Sequence, residues 1–308
     1  MSILIFRHIY ASAPIMLILA TIGWGSNTIA GRLAVGEIYP MMLIFLRWGF
    51  VVLLIAAISG RSMIAEWGVI NKKLKWVFLM GGCGLSLFNA LFYMAAHSTS
   101  AINLGIIQSI MPAMILLGSF FLFGSRINKM QMVGVGLTFV GCIVVITKGS
   151  IDYLLLLTFS SGDLLMLVAC LFYAGYSLGL KNRPDLSGIV MMGYFSIAAF
   201  MMTIPLLIIE ILIYGLTVPT EKGWGIVLYI AIIPSFLSQI FFMRGVDLVG
   251  PGSAGLYANL VPIFSASMAV IILNEAFSIY HLVAMGVVFS GIAVFEYQKQ
   301  LHAQPVKN

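Results

Sequence analysis

A few charged side chains stand inside long apolar segments, where they could bind a solute or a proton. Arg47 follows Pro40 by seven residues, which places it about 10 Å into a helix that rises 1.5 Å per residue. A charge at the centre of a bilayer costs roughly 2.5–3.5 kcal/mol on insertion scales. Arg47 is therefore predicted to have a polar or charged partner. Arg47 is interpreted either as a donor to a substrate carboxylate or phosphate, or as a structural arginine that binds helix carbonyls or Glu210.

Two acidic side chains leave similar alternatives open. Glu210 stands late in a long apolar segment and is interpreted either as a protonatable coupling residue or as a residue in contact with interfacial water. Asp163 is expected in the first turn of a helix, where the positive helix end favours a carboxylate.

Uncharged polar side chains form a second set within the apolar segments. An amide both donates and accepts hydrogen bonds, so it can recognise a zwitterion without adding charge. Asn27, Asn89 and Asn259 are predicted to line a cavity, and the other amides are interpreted as contacts between helices. The whole set comprises Asn27, Asn89, Asn103, Gln108, Gln239 and Asn259.

Aromatic residues with polar atoms occur in the same segments. They are predicted either to form a cage around an apolar or cationic substrate or to anchor helices at the membrane interfaces. Trp24 is favoured for the cavity because it stands beside Gly25 and Asn27. The residues considered for the cage are Trp24, Trp48, Tyr93, Tyr176 and Tyr257.

The composition explains why these polar residues are exceptional. Hydrophobic residues make up 61% of the 308 residues and charged residues only 8%, against about 25% charged in soluble domains. A water-soluble fold is therefore excluded. The net charge of +6 comes from single, scattered basic residues, which does not indicate nucleic-acid binding. The three cysteines are interpreted as small packing residues.

The apolar segments predict an all-α polytopic membrane protein with ten transmembrane helices, since about 20 residues cross the hydrocarbon core. The predicted helices are Ala13–Leu33, Pro40–Ser59, Lys75–His97, Ala101–Phe123, Gln131–Lys148, Ser161–Leu180, Gly188–Tyr214, Gly225–Arg244, Gly252–Leu273 and Tyr280–Gln298. No small-x-small cleavage site follows the first apolar stretch, so this helix is expected to be retained. Twelve of the 16 basic residues fall on one side, which predicts that both termini are cytoplasmic.

An internal repeat relates the two halves of the chain. An offset of 150 residues aligns Pro112 with Pro262 and Gly105 with Gly255. Residues 1–150 are therefore predicted to form a first five-helix repeat, and residues 151–308 a second repeat with a short cytoplasmic tail. Because five is odd, the second repeat must be inverted, as in many secondary transporters.

Proline and glycine are also predicted to act in movement and packing. Pro112 and Pro262 interrupt helical hydrogen bonding, and Gly105 and Gly255 add a second soft point, so these four positions are candidate gates. The Gly-rich fifth and tenth helices have small residues that let backbones approach closely. Gly134, Gly141, Ala284 and Gly291 are predicted to pack helices together.

The order of these motifs resembles that of the drug/metabolite transporter superfamily, in its ten-helix EamA-type branch. The motifs are Trp24-Gly25-Ser26-Asn27, Pro40 followed by Arg47, Gly162-Asp163-Leu164-Leu165, and the two proline segments at Pro112 and Pro262. The second repeat has the family-like Asn274-Glu275, whereas the first has Gly124-Ser125-Arg126 and lacks the acid. The resemblance implies ten helices, a central cavity lined by the first four helices of each half, and a peripheral fifth and tenth helix.

The predicted function is transport of small metabolites by alternating access, first of all efflux of amino acids or related compounds across a bacterial inner membrane. Uptake of a riboflavin-like vitamin, nucleobase or nucleoside is the alternative, and a channel or embedded enzyme is the alternative of another class. The sequence has no His-Glu-x-x-His, no phosphate-binding loop and no paired Asp motif, so no catalytic, metal or cofactor site is predicted. The expected partners are a small-molecule substrate and the lipid bilayer, not nucleic acid, and the chain is expected to be a monomer or homodimer.

Overall fold

Helices make up almost all of the structure. The computed structural model describes residues 12–124, 129–150, 152 and 160–303, without the side chains of 131, 250–256, 292 and 295–303. Within these ranges no strand occurs. The α-helices are α1 Ala13–Leu33, α2 Pro40–Ile70, α3 Leu74–Gly81, α4 Phe88–Ala96, α5 Ala101–Gln108, α6 Met111–Phe123, α7 Lys129–Ile146, α8 Ser161–Gly179, α9 Gly188–Tyr214, α10 Glu221–Ile230, α11 Ser238–Tyr257, α12 Val261–Leu273 and α13 Ile279–Ala303.

Six continuous helical stretches in the described ranges are long and apolar enough to cross a membrane, and shorter apolar helices accompany them. One stretch, Pro40–Ala96, has 57 residues and contains two of the predicted crossings, with a 3₁₀ turn at Asn71–Lys73 between them. These helices confirm the predicted all-helical, polytopic membrane fold. The number of ten crossings stays a prediction.

Two predicted helix ends are wrong. Helix α2 continues to Ile70 rather than ending at Ser59, and its last part has exposed polar residues such as Arg61 and Ser62. A helix can leave the hydrocarbon and continue in water, so the end of an apolar run does not fix its length. The predicted turn between Arg244 and Gly252 lies within α11. Gly and Pro are tolerated in such helices because neighbouring groups satisfy the freed backbone atoms.

The two halves repeat the same local irregularities. A π-helical segment joins α3 to α4 at Gly82–Leu87, and another joins α10 to α11 at Ala231–Leu237. Each half also has a helix that begins with its proline in the first turn, α6 and α12. Both helices end at a left-handed residue, Gly124 with φ 63° and Asn274 with φ 52°. These matched irregularities support the internal repeat.

The packing of the halves is reciprocal. Helix α1 of the first half packs against α11 and α12, and its counterpart α8 packs against α4 and α6. Helix α2 packs against α9, and α7 packs against α13. Each contact therefore has its counterpart when the halves are exchanged, which is the pattern that a pseudo-two-fold axis between two repeats produces.

The Gly-rich helices α7 and α13 pack together as predicted. A Cβ atom on Gly291 would lie 2.5 Å from the carbonyl oxygen of Gly134. A Cβ atom on Gly141 would lie 2.9 Å from the carbonyl oxygen of Ala284. The two backbones approach too closely for any larger residue at these positions, and this confirms the role predicted for the four small residues.

Replacing Gly291 with Ala is expected to destabilise the protein, because the methyl group would meet backbone that cannot move aside locally. Overpacking of this kind costs about 1–3 kcal/mol. Gly286 lies on the same helix with open space around it, so Gly286→Ala is the matched control. The measurement is the temperature at which half of the detergent-solubilised protein is lost from its monodisperse peak. Equal losses for both variants would contradict the packing assignment.

Candidate functional site

A cavity of about 240 Å³ lies among helices of both halves. Its walls come from α1, α2, α8, α9 and α12, from both π segments and the helices that follow them, and from the end of α5, the start of α6 and the break between these two helices. The lining residues are Trp24, Asn27, Arg47, Trp48, Gly84, Leu85, Phe88, Asn89, Gln108, Ser109, Met111, Pro112, Ile115, Tyr173, Met192, Pro234, Ser235, Gln239, Ala258, Asn259, Val261 and Pro262. Arg47 is the one charged side chain in this lining.

Arg47 is held by three neutral groups. Its Nε donates to Ser235 Oγ at 2.7 Å, and its Nη1 donates to Asn89 Oδ1 at 2.6 Å and to Tyr93 Oη at 2.7 Å. The residue is only 6% exposed. These bonds fix the guanidinium plane but supply no negative charge, and Nη2 has no acceptor among the described contacts. The site is therefore a buried cation whose charge is not neutralised by a carboxylate of the described chain.

Glu210 is not the partner of Arg47, so that part of the structural interpretation is wrong. Its carboxylate accepts from the backbone N–H groups of Met41 and Met42 at 2.8 and 2.9 Å. These donors belong to the first turn of α2, whose N–H groups have no partner within the helix. The carboxylate of Glu210 binds the start of α2 rather than Arg47, which lies deeper in the same helix. At the helix start the positive end of the helix dipole adds to the two hydrogen bonds.

The two π segments position the groups that bind Arg47. Ser235 lies within the second segment, and Asn89 follows the first by two residues. A π segment adds a residue to the turn and so changes the direction in which the following side chains point. Ser235 Oγ also donates to Ile230 O at 2.5 Å, and Asn89 Nδ2 donates to Leu85 O at 2.5 Å. Side chains that the π segments of both halves orient therefore bind the same guanidinium.

Tyr93 extends this network to the first helix. Its hydroxyl donates to Asn27 Oδ1 at 2.8 Å while accepting from Arg47. The ring is 2% exposed and contacts Gly31, where a Cβ atom would lie 3.4 Å from Tyr93 Cδ1. Tyr93 is thus a positioning residue behind the cavity wall rather than part of its lining.

Aromatic rings cover much of the remaining wall. Trp24 lies 5.0 Å from Phe242 between ring centroids, and Phe88 lies 5.2 Å from Tyr173. The Arg47 guanidinium carbon lies 5.1 Å from the centroid of the Trp48 ring, within the range of a cation–π contact. Such flat surfaces can pack against an apolar or planar group.

Two polar atoms in the lining are buried without a hydrogen-bond partner. They are the indole Nε1 of Trp48 and the Oγ of Ser109. A buried donor without a partner costs about 1–3 kcal/mol, so such groups are rare in folded proteins unless a ligand or water satisfies them. Trp48 and Ser109 line the cavity as Arg47 does, and the described contacts leave a polar atom of each without a partner.

The structure separates the predicted site residues into two groups. Trp24, Asn27, Arg47, Asn89, Asn259, Pro112 and Pro262 line the cavity, as do Gln108 and Gln239 from the wider amide set. Tyr176 lies outside the lining and packs on Tyr173 and Phe195, and Tyr257 also lies outside it. A Cβ atom on Gly105 would lie 2.5 Å from Ser265 Oγ, so this glycine is closely packed. Gly255 lies within helix α11, in the stretch 250–256 whose side chains the structure does not describe.

Sequence reasoning missed several lining residues. Ser235 and Pro234 stand in an apolar run, where a serine is common and carries no signal by itself. The one available signal was the 150-residue offset, which aligns both residues with the Gly82–Leu87 segment of the first half. Phe88 and Tyr173 were missed because an aromatic ring in an apolar helix also suits lipid or core packing.

Four acids of the described chain join the halves at one end of the molecule. Glu275 accepts from the N–H groups of Ala101 and Ile102 at 2.8 and 3.1 Å, and Arg32 lies 3.9 Å from it. Glu37 accepts from Thr220 at 2.5 Å and Lys222 at 3.0 Å, and these hydrogen bonds hold the pKa of the Glu37 carboxyl below its usual value. With the contacts of Asp163 and Glu210, these bonds define the acid-linked end.

Replacing Tyr93 with Phe is expected to destabilise the protein by about 1–3 kcal/mol, because Asn27 Oδ1 would lose its donor inside a buried network. The matched control is Tyr173→Phe, since the described contacts give the Tyr173 hydroxyl no hydrogen bond. Thermal unfolding in detergent measures the difference. If the two variants unfold at the same temperature, the Arg47–Tyr93–Asn27 network does not have the role assigned to it.

Comparisons with known proteins agree with this architecture. The model of the EamA-like transporter family matches residues 11–147 and 160–297. The chain is 26% identical over 283 residues to the uncharacterized transporter YetK of Bacillus subtilis, covering 90% of this chain and 84% of YetK. It is 24% identical over 269 residues to an uncharacterized transporter of Archaeoglobus fulgidus, covering 85% of this chain and 89% of that protein.

A solved structure shares the fold, with a TM-score of 0.63 and 18% sequence identity over 95% of this chain and 99% of the solved chain. The two family matches together span most of the sequence and fall one on each half. They coincide with the repeated π segments and proline breaks described above. The chain is therefore a membrane transporter that belongs to the EamA-like transporter family.

Proposed function

We propose that this transporter moves small metabolites that carry a carboxylate, first of all amino acids or related compounds, outward across the cell inner membrane by alternating access. The observation that carries the proposal is the buried, uncompensated guanidinium of Arg47 in a cavity between the two halves. The other features of the cavity support the choice of solute and are argued in turn below.

The charge of the cavity favours an anionic group. Removing a guanidinium from water without a counterion is unfavourable, and no carboxylate lines the cavity. A solute carboxylate would supply the missing charge and would accept from Nη2 of Arg47 in a charge-assisted hydrogen bond. Trp48 Nε1 and Ser109 Oγ offer further donors nearby in the same lining.

The amides of the cavity suit the rest of an amino acid. Asn27, Asn259, Gln108 and Gln239 each present an oxygen that can accept from an ammonium group. The volume of about 240 Å³ is below the usual range of about 300–1,000 Å³ for drug-sized ligands. A solute of amino-acid size is therefore preferred to a bulky drug.

The aromatic walls favour a second candidate, uptake of a planar vitamin, nucleobase or nucleoside. Trp24, Trp48, Phe88 and Tyr173 line the cavity, and flat rings stack favourably on such surfaces. A nucleobase without a negative charge would leave Arg47 uncompensated, which is why this candidate is placed second.

Alternating access is supported by the reciprocal packing of the halves. The breaks before Pro112 and Pro262 both reach the cavity, so bending there would move its walls in both repeats. We assign the gating role to these two breaks. Gly105 is retained as a close-packing position against Ser265. Both termini are proposed to be cytoplasmic, which places the acid-linked end on the outer face, and the domain boundary is proposed near residue 150.

Arg47→Gln is expected to raise the apparent KM for a carboxylate solute by about ten- to hundredfold, because a hydrogen bond to a charged group contributes about 1.5–3 kcal/mol. Arg47→Lys should lose less, since it keeps the charge but not the planar fork. The matched control is Arg61→Gln, which removes an exposed arginine from the same helix. The assay is flux through proteoliposomes with a panel of amino acids, nucleosides and riboflavin, with and without a proton gradient.

Three results would contradict the proposal. They are indifference to every solute of the panel, preference for uncharged nucleosides over carboxylates, and a KM for the transported carboxylate that Arg47→Gln leaves unchanged. Detergent-solubilised Arg47→Lys and Arg47→Gln must both elute as the wild type does on gel filtration, so that a loss of flux is not a loss of fold.

A further inference from the structure

A buried polar cluster lies at the acid-linked end, away from the central cavity. Asp163 begins α8 and is 0% exposed. Its Oδ1 accepts from the Thr99 hydroxyl and from Asn103 Nδ2, the latter at 3.3 Å. Asn103 Oδ1 lies 3.3 Å from His281 Nε2. Thr99 and Asn103 belong to the first half, and Asp163 and His281 belong to the second.

The second oxygen of this carboxyl group has no partner. Asp163 Oδ2 is buried and makes no hydrogen bond among the described contacts. Both oxygens of an ionised carboxylate need hydrogen-bond donors, and burying its charge with one oxygen unpaired is strongly unfavourable. The protonated carboxylic acid avoids this cost, because only a neutral hydroxyl is then left without a partner.

The charges around Asp163 do not remove this cost. His281 Nδ1 accepts from the N–H of Ser278 at 3.1 Å, so the imidazole is neutral and its Nε2 donates to Asn103. Lys148 attracts the carboxylate but is exposed, and water screens such an attraction. His97, on the turn before Thr99, is also exposed. The described neighbours of Asp163 therefore supply no buried cation.

The helix end alone does not account for these contacts. The interpretation of Asp163 as an acid stabilised by the helix dipole places it correctly in the first turn of α8, but such acids are ordinarily solvated. Here the side chain instead spans the contact between the halves. The turn that it binds, just before α5, is the one that Arg32 and Glu275 also hold, through Ala96 O and the N–H groups of Ala101 and Ile102.

We propose that Asp163 is a proton-binding site that is protonated while the acid-linked end is joined and releases its proton when the halves separate there. Separation would admit water to Oδ2, and hydration stabilises the charged form. A proton fits better than Na⁺, because Thr99 and Asn103 both present donors to the carboxyl rather than oxygen ligands. The site goes beyond the proposed choice of solute and can be tested without any solute.

The sign of the pH dependence follows from this linkage. The joined arrangement binds the proton more tightly than the separated one, so acid favours the joined arrangement and alkali favours separation. One proton changes the ratio of the two arrangements by at most about tenfold per pH unit. Asp163→Asn keeps a neutral side chain at every pH and should hold the end joined throughout.

The experiment places spin labels on His97→Cys and Ala276→Cys, two exposed positions on opposite halves, in a chain without its three native cysteines. Distance distributions are measured in nanodiscs between pH 5 and pH 9. We expect the longer distance to gain population as the pH rises, and Asp163→Asn to remove that response. Asp185→Asn, which removes an exposed acid elsewhere, should respond as the parent does.

Several outcomes would overturn the proposal. They are a distribution that ignores pH, a response that Asp163→Asn retains, a response that Na⁺ reproduces at constant pH, and a response lost in His281→Gln but kept in Asp163→Asn. If Asp163→Asn does not fold, infrared difference spectra of the parent chain decide the matter. A carboxylic-acid band that appears on acidification supports the proposal, and its absence contradicts it.

Discussion

The buried guanidinium of Arg47 is the interaction on which the rest of the structure depends. A positive charge in the core of a membrane protein is tolerated only where polar groups surround it. Ser235, Asn89 and Tyr93 supply those groups; Ser235 belongs to the second half, and Asn89 and Tyr93 both belong to α4 of the first half. To bring them together the chain uses one π segment in each half. The side chain of Arg47 therefore links the irregular backbone of both halves at the cavity wall.

The structure also separates the buried cation, which lines the cavity, from the acids that join the two halves. Carboxylates do not line the cavity. The acids of the described chain that join the halves instead bind helix starts and a turn at one end, where backbone N–H groups are available. Glu210 and Glu275, from the second half, accept from the first turns of α2 and α5, and Glu37 from the first half accepts from Thr220 before α10. The buried cation therefore lies in the cavity, and the acids that join the halves lie at one end of the molecule.

Much of this fold was predictable because lipid imposes a simple rule. Apolar runs gave α1 and α9 with the bounds that the structure has, and the offset of 150 residues gave the repeat. The Gly-rich helices were predictable too, since small residues in a membrane helix have few other uses. The end of α2 and the continuity of α11 were not, because hydropathy reports where lipid ends and not where the backbone stops being helical.

The site was predictable only in part, for a physical reason. Residues whose burial in lipid costs free energy, such as Arg47 and the amides, can be recognised in the sequence by their residue type. Ser235, Phe88 and Tyr173 do not, because a serine or an aromatic ring is inexpensive in an apolar helix and its role depends on the π segments that orient it. Tyr93 was assigned to substrate, yet its hydroxyl is used between Arg47 and Asn27. Which partner a polar side chain takes is decided by tertiary packing.

The most direct test of the central claim measures which side of the membrane can reach the cavity beside Arg47. A single cysteine in place of Gln108, in vesicles of known orientation, would be treated with a membrane-impermeant maleimide from one side and then from the other. Alternating access to this cavity predicts labelling from both sides, and protection from both by the transported carboxylate. Labelling from neither side, or from one side only under all conditions, would contradict the account.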